Sequence, residues 1–267
     1  MTIVTLAIAI LLILLLIRLR YDRLVRQIWR SLKSEPTGTI FTADLVADLA
    51  EPVQRYFLHA IKPGTPLASY VELEMSGSFR LKPDADWLSL QASQIISTAS
   101  GFIWKANIGK SWLKFSGADY YAQHQGRVRF SLWGLIPMVD AQNKDINRSG
   151  VGRLSIEYVW LPSALLPQNN VAWQAISDNT IQANFHIDNE PIALTLNIDT
   201  NGKLLNVSLP RWGERKDGQW QYLLLGGEIQ AEQTFGGYTV PAKIDAGYWF
   251  GNKYWSFFQA TIKQAIY

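Results

Sequence analysis

The chain of 267 residues carries 25 Lys+Arg, 22 Asp+Glu, no Cys, and 11 each of Trp, Tyr and Phe. With 48% hydrophobic and 18% charged residues it is too apolar for a disordered chain and long enough to bury a large core. The lack of Cys excludes a disulfide framework, a thiolate zinc site, an iron–sulfur cluster and a cysteine nucleophile.

Residues 2–17 form an unbroken apolar run. As a helix they span roughly 24 Å, and Leu19 and Tyr21 extend the run if Arg18 and Arg20 snorkel. A cleavable signal peptide is the competing reading. It would want basic residues before the run and a small-residue cleavage site after it. Here the basic residues follow, so residues 1–21 read as an uncleaved transmembrane helix.

Residues 18–33 hold Arg18, Arg20, Arg23, Arg26, Arg30 and Lys33 against Asp22, a net +5 in a chain whose total is +3. The rest of the chain is therefore slightly acidic, and a nucleic-acid partner is not expected. Leu24, Val25, Ile28, Trp29 and Leu32 share one helical face, so residues 22–41 read as a basic amphipathic helix and linker. Two roles stand open. The six basic residues contact anionic lipid headgroups, or they form an ordinary stop sequence after the span. Both give a single-pass protein of the inner membrane. The positive-inside rule puts the domain in the cytoplasm, with the periplasm as the alternative.

Residues 42–267 read as a single β-rich domain. Ser34–Thr39 is a polar linker with Pro36 and Gly38. A helix follows with Pro52 in its first turn and Val53, Tyr56, Phe57, Ala60 and Ile61 on one face. From Leu67 the period becomes two, and strands are predicted over Trp87–Ser97, Gly101–Ile108, Ser111–Tyr121 and Arg127–Trp133. A helix is predicted over 145–160, with a further turn over 163–166 after Pro162. Alternation resumes in Ile181/Ala183/Phe185/Ile187, Ile192/Leu194/Leu196/Ile198 and Leu205/Val207/Leu209. Asp178-Asn179, Asp188-Asn189 and Asn201-Gly202 are the turns, the last a strong hairpin signal. Three strands close the chain, at 219–235, 238–250 and 254–265. So many short-linked strands favour antiparallel pairing in a strongly bent sheet, an incomplete barrel closed by helices.

The motifs of common chemistries fail. His59, His124 and His186 lie far apart, and no metal or other cofactor is expected. Gly109-Lys110-Ser111 lacks the earlier glycine of a phosphate loop, because position 104 is Trp. Asp140, Asp145, Arg148, Arg153 and Glu157 surround the middle helix. They read either as a solvated face with i,i+4 pairs or as an acid–base cluster. The aromatics stand out more. Trp104, Trp112, Trp133, Tyr158, Trp160, Trp249 and Trp255 fill a core, line a cavity for an apolar ligand, or form a girdle that touches the bilayer.

Glu51-Pro52-Val53-Gln54-Arg55-Tyr56, Gly101-Phe102-Ile103-Trp104, Tyr158–Leu166 (YVWLPSALL) and Phe235–Pro241 (FGGYTVP) resemble a bacterial family of unknown function. Its members carry a basic-flanked N-terminal membrane helix and one β-rich domain. Many have Pro where this chain has Ala50, before the Glu-Pro pair. The resemblance implies one folded unit and no activity. The element order also looks like the half-barrel of bacterial lipoprotein carriers, a likeness of fold alone. The expected function is a membrane-anchored binding protein whose partners are membrane lipids and an apolar small molecule. The alternatives are an enzyme built on Asp145, Arg148, Arg153 and Glu157, and a scaffold with a filled barrel.

Overall fold

The computed structural model describes residues 2–35, 38–99, 101–110, 112–215 and 217–267. Pro36 and Thr37 of the expected linker and Ser111 of an expected strand lie outside the described residues. Helix α1 (Thr2–Ser31) runs unbroken from the apolar run into the amphipathic segment. Helix α2 is Glu51–Ala60. Six strands follow: β1 (Tyr70–Phe79), β2 (Leu88–Ser97), β3 (Gly101–Lys110), β4 (Leu113–Ala122), β5 (Gln125–Leu132) and β6 (Ile136–Ala141). Helix α3 (Lys144–Glu157) and short 3-10 turns reaching Asn169 lead to the second half. It comprises β7 (Ala172–Ser177), β8 (Thr180–Ile187), β9 (Glu190–Ile198), β10 (Leu204–Glu214), β11 (Trp220–Phe235), β12 (Tyr238–Phe250) and β13 (Lys253–Ile266).

All thirteen strands form one antiparallel sheet in the order β6-β5-β4-β3-β2-β1-β13-β12-β11-β10-β9-β8-β7. The long-range step is β1 against β13, which joins the two meanders through pairs such as Glu72↔Ile266 and Phe79↔Phe258. Strands β6 and β7 are the free edges, and α3 with its turns is the connection between them. The chain therefore crosses the open side of the sheet, which bends around that crossing into the incomplete barrel expected from its alternation. Along β8 and β9 the inward positions Ile181, Ala183, Phe185, Ile192, Leu194 and Leu196 are buried while their neighbours are not.

Local chemistry sets the helix ends. Asn143 caps α3, its side chain accepting from the Ile146 amide at 2.8 Å. The helix stops at Glu157, and Tyr158–Trp160 tightens into a 3-10 turn before Pro162. The helix predicted over 145–160 thus ends three residues sooner than its periodicity implies. Strand β6 is not expected from the sequence. Pro137 breaks its pattern, which an edge strand tolerates because one side needs no partner.

The sheet has two covered faces. The concave side holds the main core, with Phe57, Leu73, Ile96, Phe102, Leu154 and Leu165 among its buried members. On the convex side Tyr21, Val25 and Leu32 of α1 pack on Ile95, Ile103, Ala118 and Tyr120.

Curvature brings backbones together at glycines. A Cβ on Gly77 would lie 1.9 Å from the backbone oxygen of Gln259 on β13. Gly77→Ala is expected to destabilise the protein by about 1–3 kcal/mol, because neither backbone can move without opening the β1–β13 joint. A shift in the chemical denaturation midpoint of the full-length chain in detergent checks this. A midpoint at the native value would mean that the joint yields easily.

Candidate functional site

The concave face encloses a cavity of about 560 Å³ between the sheet and α3. One wall comes from β1 to β5, through Phe79, Leu88, Trp104, Ile108, Phe115 and Phe130. The facing wall comes from β11 to β13, through Leu225, Gly227, Ile229, Ile244, Tyr248 and Phe258. Arg153, Ile156, Glu157, Val159 and Trp160 form the third side. The period-two pattern places these residues on one face, and the bend makes that face a hollow.

One polar cluster borders this apolar space. Arg153 donates to Glu157 Oε1 at 2.9 Å and to Asp119 Oδ2 at 2.5 Å. Gln94 donates to the other Glu157 oxygen at 2.5 Å. The guanidinium lies 4.9 Å from the ring centres of Phe102 and Trp104. Burial raises the pKa of Glu157, and Arg153 opposes the rise. Burial works against the Arg153 charge, yet Glu157 and Asp119 hold its pKa above the usual arginine value. Arg211, also on the cavity wall, donates to the Ser149 carbonyl at 3.0 Å and the Tyr248 hydroxyl at 3.2 Å. Trp104 differs from these groups. Its Nε1 is buried on the cavity wall and has no hydrogen-bond partner.

The predicted aromatics divide. Trp104 and Trp160 line the cavity at 4% and 5% exposure. The Trp160 Nε1 is engaged with the Pro241 carbonyl at 2.9 Å. Tyr158 is buried beside Phe185, away from the cavity wall. Trp255 groups with Tyr248, Phe250 and Phe257. Trp249 packs on Tyr254 with its ring half out in solvent. Trp112 and Trp133 stand on adjacent hairpin tips, Trp133 donating to the Trp112 carbonyl at 2.7 Å. Sequence reasoning missed Phe79, Leu225, Gly227, Ile244 and Tyr248, although inward alternation on the late strands marks several of them.

The charged residues of α3 split in the same way. Arg153 and Glu157 face the cavity. Asp145 accepts from Trp212 Nε1 at 2.8 Å. Arg148 stacks on the same Trp212 ring at 3.6 Å and pairs with Glu190 at 2.8 Å. The four therefore do not converge on one point. Among the described residues no cluster of three or more His, Cys, Asp or Glu offers a metal cage.

Five of the six basic residues lie along α1, and Lys33 follows its end. Lys33 pairs with Glu72 at 2.8 Å, and Trp29 Nε1 donates to the same carboxylate at 2.6 Å. Arg18 reaches Asp22 at 3.7 Å. Arg20, Arg23, Arg26 and Arg30 are exposed. A second groove, of about 820 Å³, runs beneath α1 on the convex face and is lined by Arg18, Asp22, Glu74, Lys105 and Arg129. Its charged walls suit water better than an apolar guest.

A family model described as a family of unknown function (DUF6920) matches residues 47–267. No curated protein matches the chain. Among solved structures it is similar to a LolA superfamily protein from Nitrosomonas europaea, at 8% identity and TM-score 0.43, covering 80% of this chain and 90% of that one. It is also similar to a domain from Vibrio parahaemolyticus described as a putative outer membrane lipoprotein-sorting protein domain, at 7% identity and TM-score 0.40, covering 84% and 91%. A DUF1329 family protein from Desulfovibrio piger shares 10% identity at TM-score 0.33, covering 84% and 91%.

Proposed function

The chain belongs to this family of unknown function, and from its cavity we propose that it is a membrane-anchored binding protein for an apolar or lipid-like ligand. The observation that carries the reading is the hollow of about 560 Å³ whose walls are largely apolar, with one buried donor, Trp104 Nε1, left without an acceptor. The volume lies within the ~300–1,000 Å³ usual for ligand sites, which favours binding over a scaffold with a filled barrel. The unpartnered N–H favours a ligand with an ester, amide or carboxyl oxygen beside Trp104. An acid–base role for Arg153 and Glu157 draws less support, because both Glu157 oxygens already accept hydrogen bonds.

The anchor in this proposal is the first part of α1, residues 2–17. This apolar stretch is free of burial against the sheet and is long enough, with its flanks, to cross a bilayer. The basic residues after it support a domain on the cytoplasmic side. A fluorescent protein that matures only in the cytoplasm, fused after Tyr267, is expected to glow. A dark fusion, with activity from an export-dependent reporter at the same place, would reverse the side.

The ligand itself is tested by solvent extraction of the purified full-length chain followed by mass spectrometry. A lipid retained above the level of empty detergent micelles is expected. A chain stripped of lipid, with the cavity unable to take up a fluorescent fatty acid, would sink the proposal.

A further inference from the structure

The cavity has a mouth, and exposure locates it. Trp104 and Trp160 mark the floor. Leu81, at 68% exposure, and Met138, at 56%, line the same space and open to solvent. Leu81 follows β1, and Met138 lies on β6 just past the β5–β6 turn. The register puts this turn at the same sheet edge as the β1–β2, β3–β4 and β12–β13 connections, through Phe79↔Leu88, Lys110↔Leu113, Leu132↔Ile136 and Phe250↔Lys253. Past Phe79↔Phe258 the β12–β13 hairpin runs on for five more residues, to Lys253, so its turn projects beyond the end of β1 at that same edge.

Helix α1 leaves the domain at that edge. Its two ends on the sheet are fixed by close contacts. A Cβ on Gly101, at the start of β3, would meet Leu32 Cδ2 at 2.4 Å. A Cβ on Gly134, in the β5–β6 turn, would meet Arg18 Nη1 at 2.7 Å. Between them Lys105 lies over the Trp29 ring at 4.0 Å and Arg129 over the Tyr21 ring at 4.7 Å. The helix therefore crosses the convex face from the opposite edge and passes the β5–β6 turn at Arg18. Leu14 still lines the groove beside Gly134 and Leu135, and residues 2–13 then project roughly 18 Å beyond the domain.

The rim on this side is furnished for an interface. Trp112 (73% exposed) and Trp133 form the hairpin tips nearest the helix, and Ile136 and Phe250 are exposed on the same rim. Exposed Lys110 and Lys253 and the neighbouring Lys114 stand among them. Exposed Trp beside Lys is the composition of a bilayer interface, where the ring sits at headgroup level and the ammonium meets lipid phosphate.

We infer that the barrel sits mouth-down on the bilayer crossed by α1, with the Trp112, Trp133 and Phe250 tips in the interface. An acyl chain of that leaflet then passes into the cavity without crossing bulk water. The inference rests on the reading of α1 as a membrane anchor and names the lipid class of the proposed ligand. It also divides the basic residues. Arg18 and Arg20 stand at headgroup height, whereas Arg30 is about 18 Å further along the helix, beside the domain and out of reach of the headgroups.

The cysteine-free chain suits spin labelling. Single variants Ile10→Cys, Trp112→Cys, Phe250→Cys and Asn201→Cys are labelled in the full-length protein in nanodiscs of phosphatidylethanolamine and phosphatidylglycerol. Asn201 lies in the β9–β10 turn beside α2 and serves as the aqueous reference. Labels at 10, 112 and 250 are expected to collide with a water-soluble nickel complex several-fold less than the label at 201. A buried label at 10 with water-exposed labels at 112 or 250 would overturn the mouth-down seating and leave the anchor standing. A water-exposed label at 10 would remove the anchor and the seating together. Neither result depends on whether lipid co-purifies, so failure of ligand binding registers separately.

Discussion

Replacing Arg153 with alanine is expected to lower the stability of the full-length protein by about 3–5 kcal/mol, read from chemical denaturation in detergent. The guanidinium is the shared counterion of Asp119 and Glu157 and fills the space between the Phe102 and Trp104 rings. Its removal leaves two carboxylates against an apolar wall with only the Gln94 hydrogen bond and the nearby Arg211 charge to help. The pH dependence follows from Glu157, whose pKa burial raises even with Arg153 present. A carboxyl with a folded pKa above its unfolded one contributes stability below the unfolded value and loses it as pH rises through the folded value. Without Arg153 the folded value climbs further, so the deficit of the variant should narrow as pH falls from about 8 toward about 5. The combined change Asp119→Leu, Arg153→Met, Glu157→Leu removes charge and counterion together and should recover most of the loss. An Arg153→Ala protein within about 1 kcal/mol of the native one at neutral pH would show that the cluster is already solvated.

This cluster shows where sequence reading stops. Arg153 and Glu157 are four residues apart on a helix, which by itself reads as an exposed pair worth little. Their burial depends on α3 lying inside the bend. Gly150 and Gly152 permit this, since a Cβ on either would press on Tyr121 or Arg211 at about 3 Å. In the sequence these glycines only weaken a helical pattern. The strands of the late meander are legible because each has one inward face. The joining of β1 to β13 is not, because it pairs residues almost 200 positions apart with no local signal.

The docking of α1 on the sheet is a middle case. Val25, Ile28, Trp29 and Leu32 form an obvious apolar face, and a bilayer surface would satisfy it as well as a sheet. The information that decides lies elsewhere. Ile95-Ile96 on β2 and Phe102-Ile103-Trp104 on β3 are consecutive apolar residues, the mark of a strand covered on both faces. Ile95 and Ile103 are the half of that pattern that receives α1.

Filling the cavity from β11 is the most direct test of what it holds. Gly227 lies on its wall between the inward positions Leu225 and Ile229. A Cβ there meets its nearest atoms at 3.6–3.9 Å, ordinary contact distances, so a side chain can start without displacing backbone. Gly227→Phe sends a ring into the hollow of about 560 Å³. An acyl chain that gives up three or four methylenes of burial loses about 2.5–3 kcal/mol at ~0.8 kcal/mol each. That corresponds to roughly 100-fold weaker binding. Gln230→Phe, an exposed position on the same strand, supplies the control. Lipid recovered per chain and uptake of a fluorescent fatty acid are expected to fall for Gly227→Phe and to hold for Gln230→Phe, with both variants melting near the native temperature. Undiminished lipid in a folded Gly227→Phe protein would place the ligand outside this cavity, and the charged groove beneath α1 would then be the next place to look.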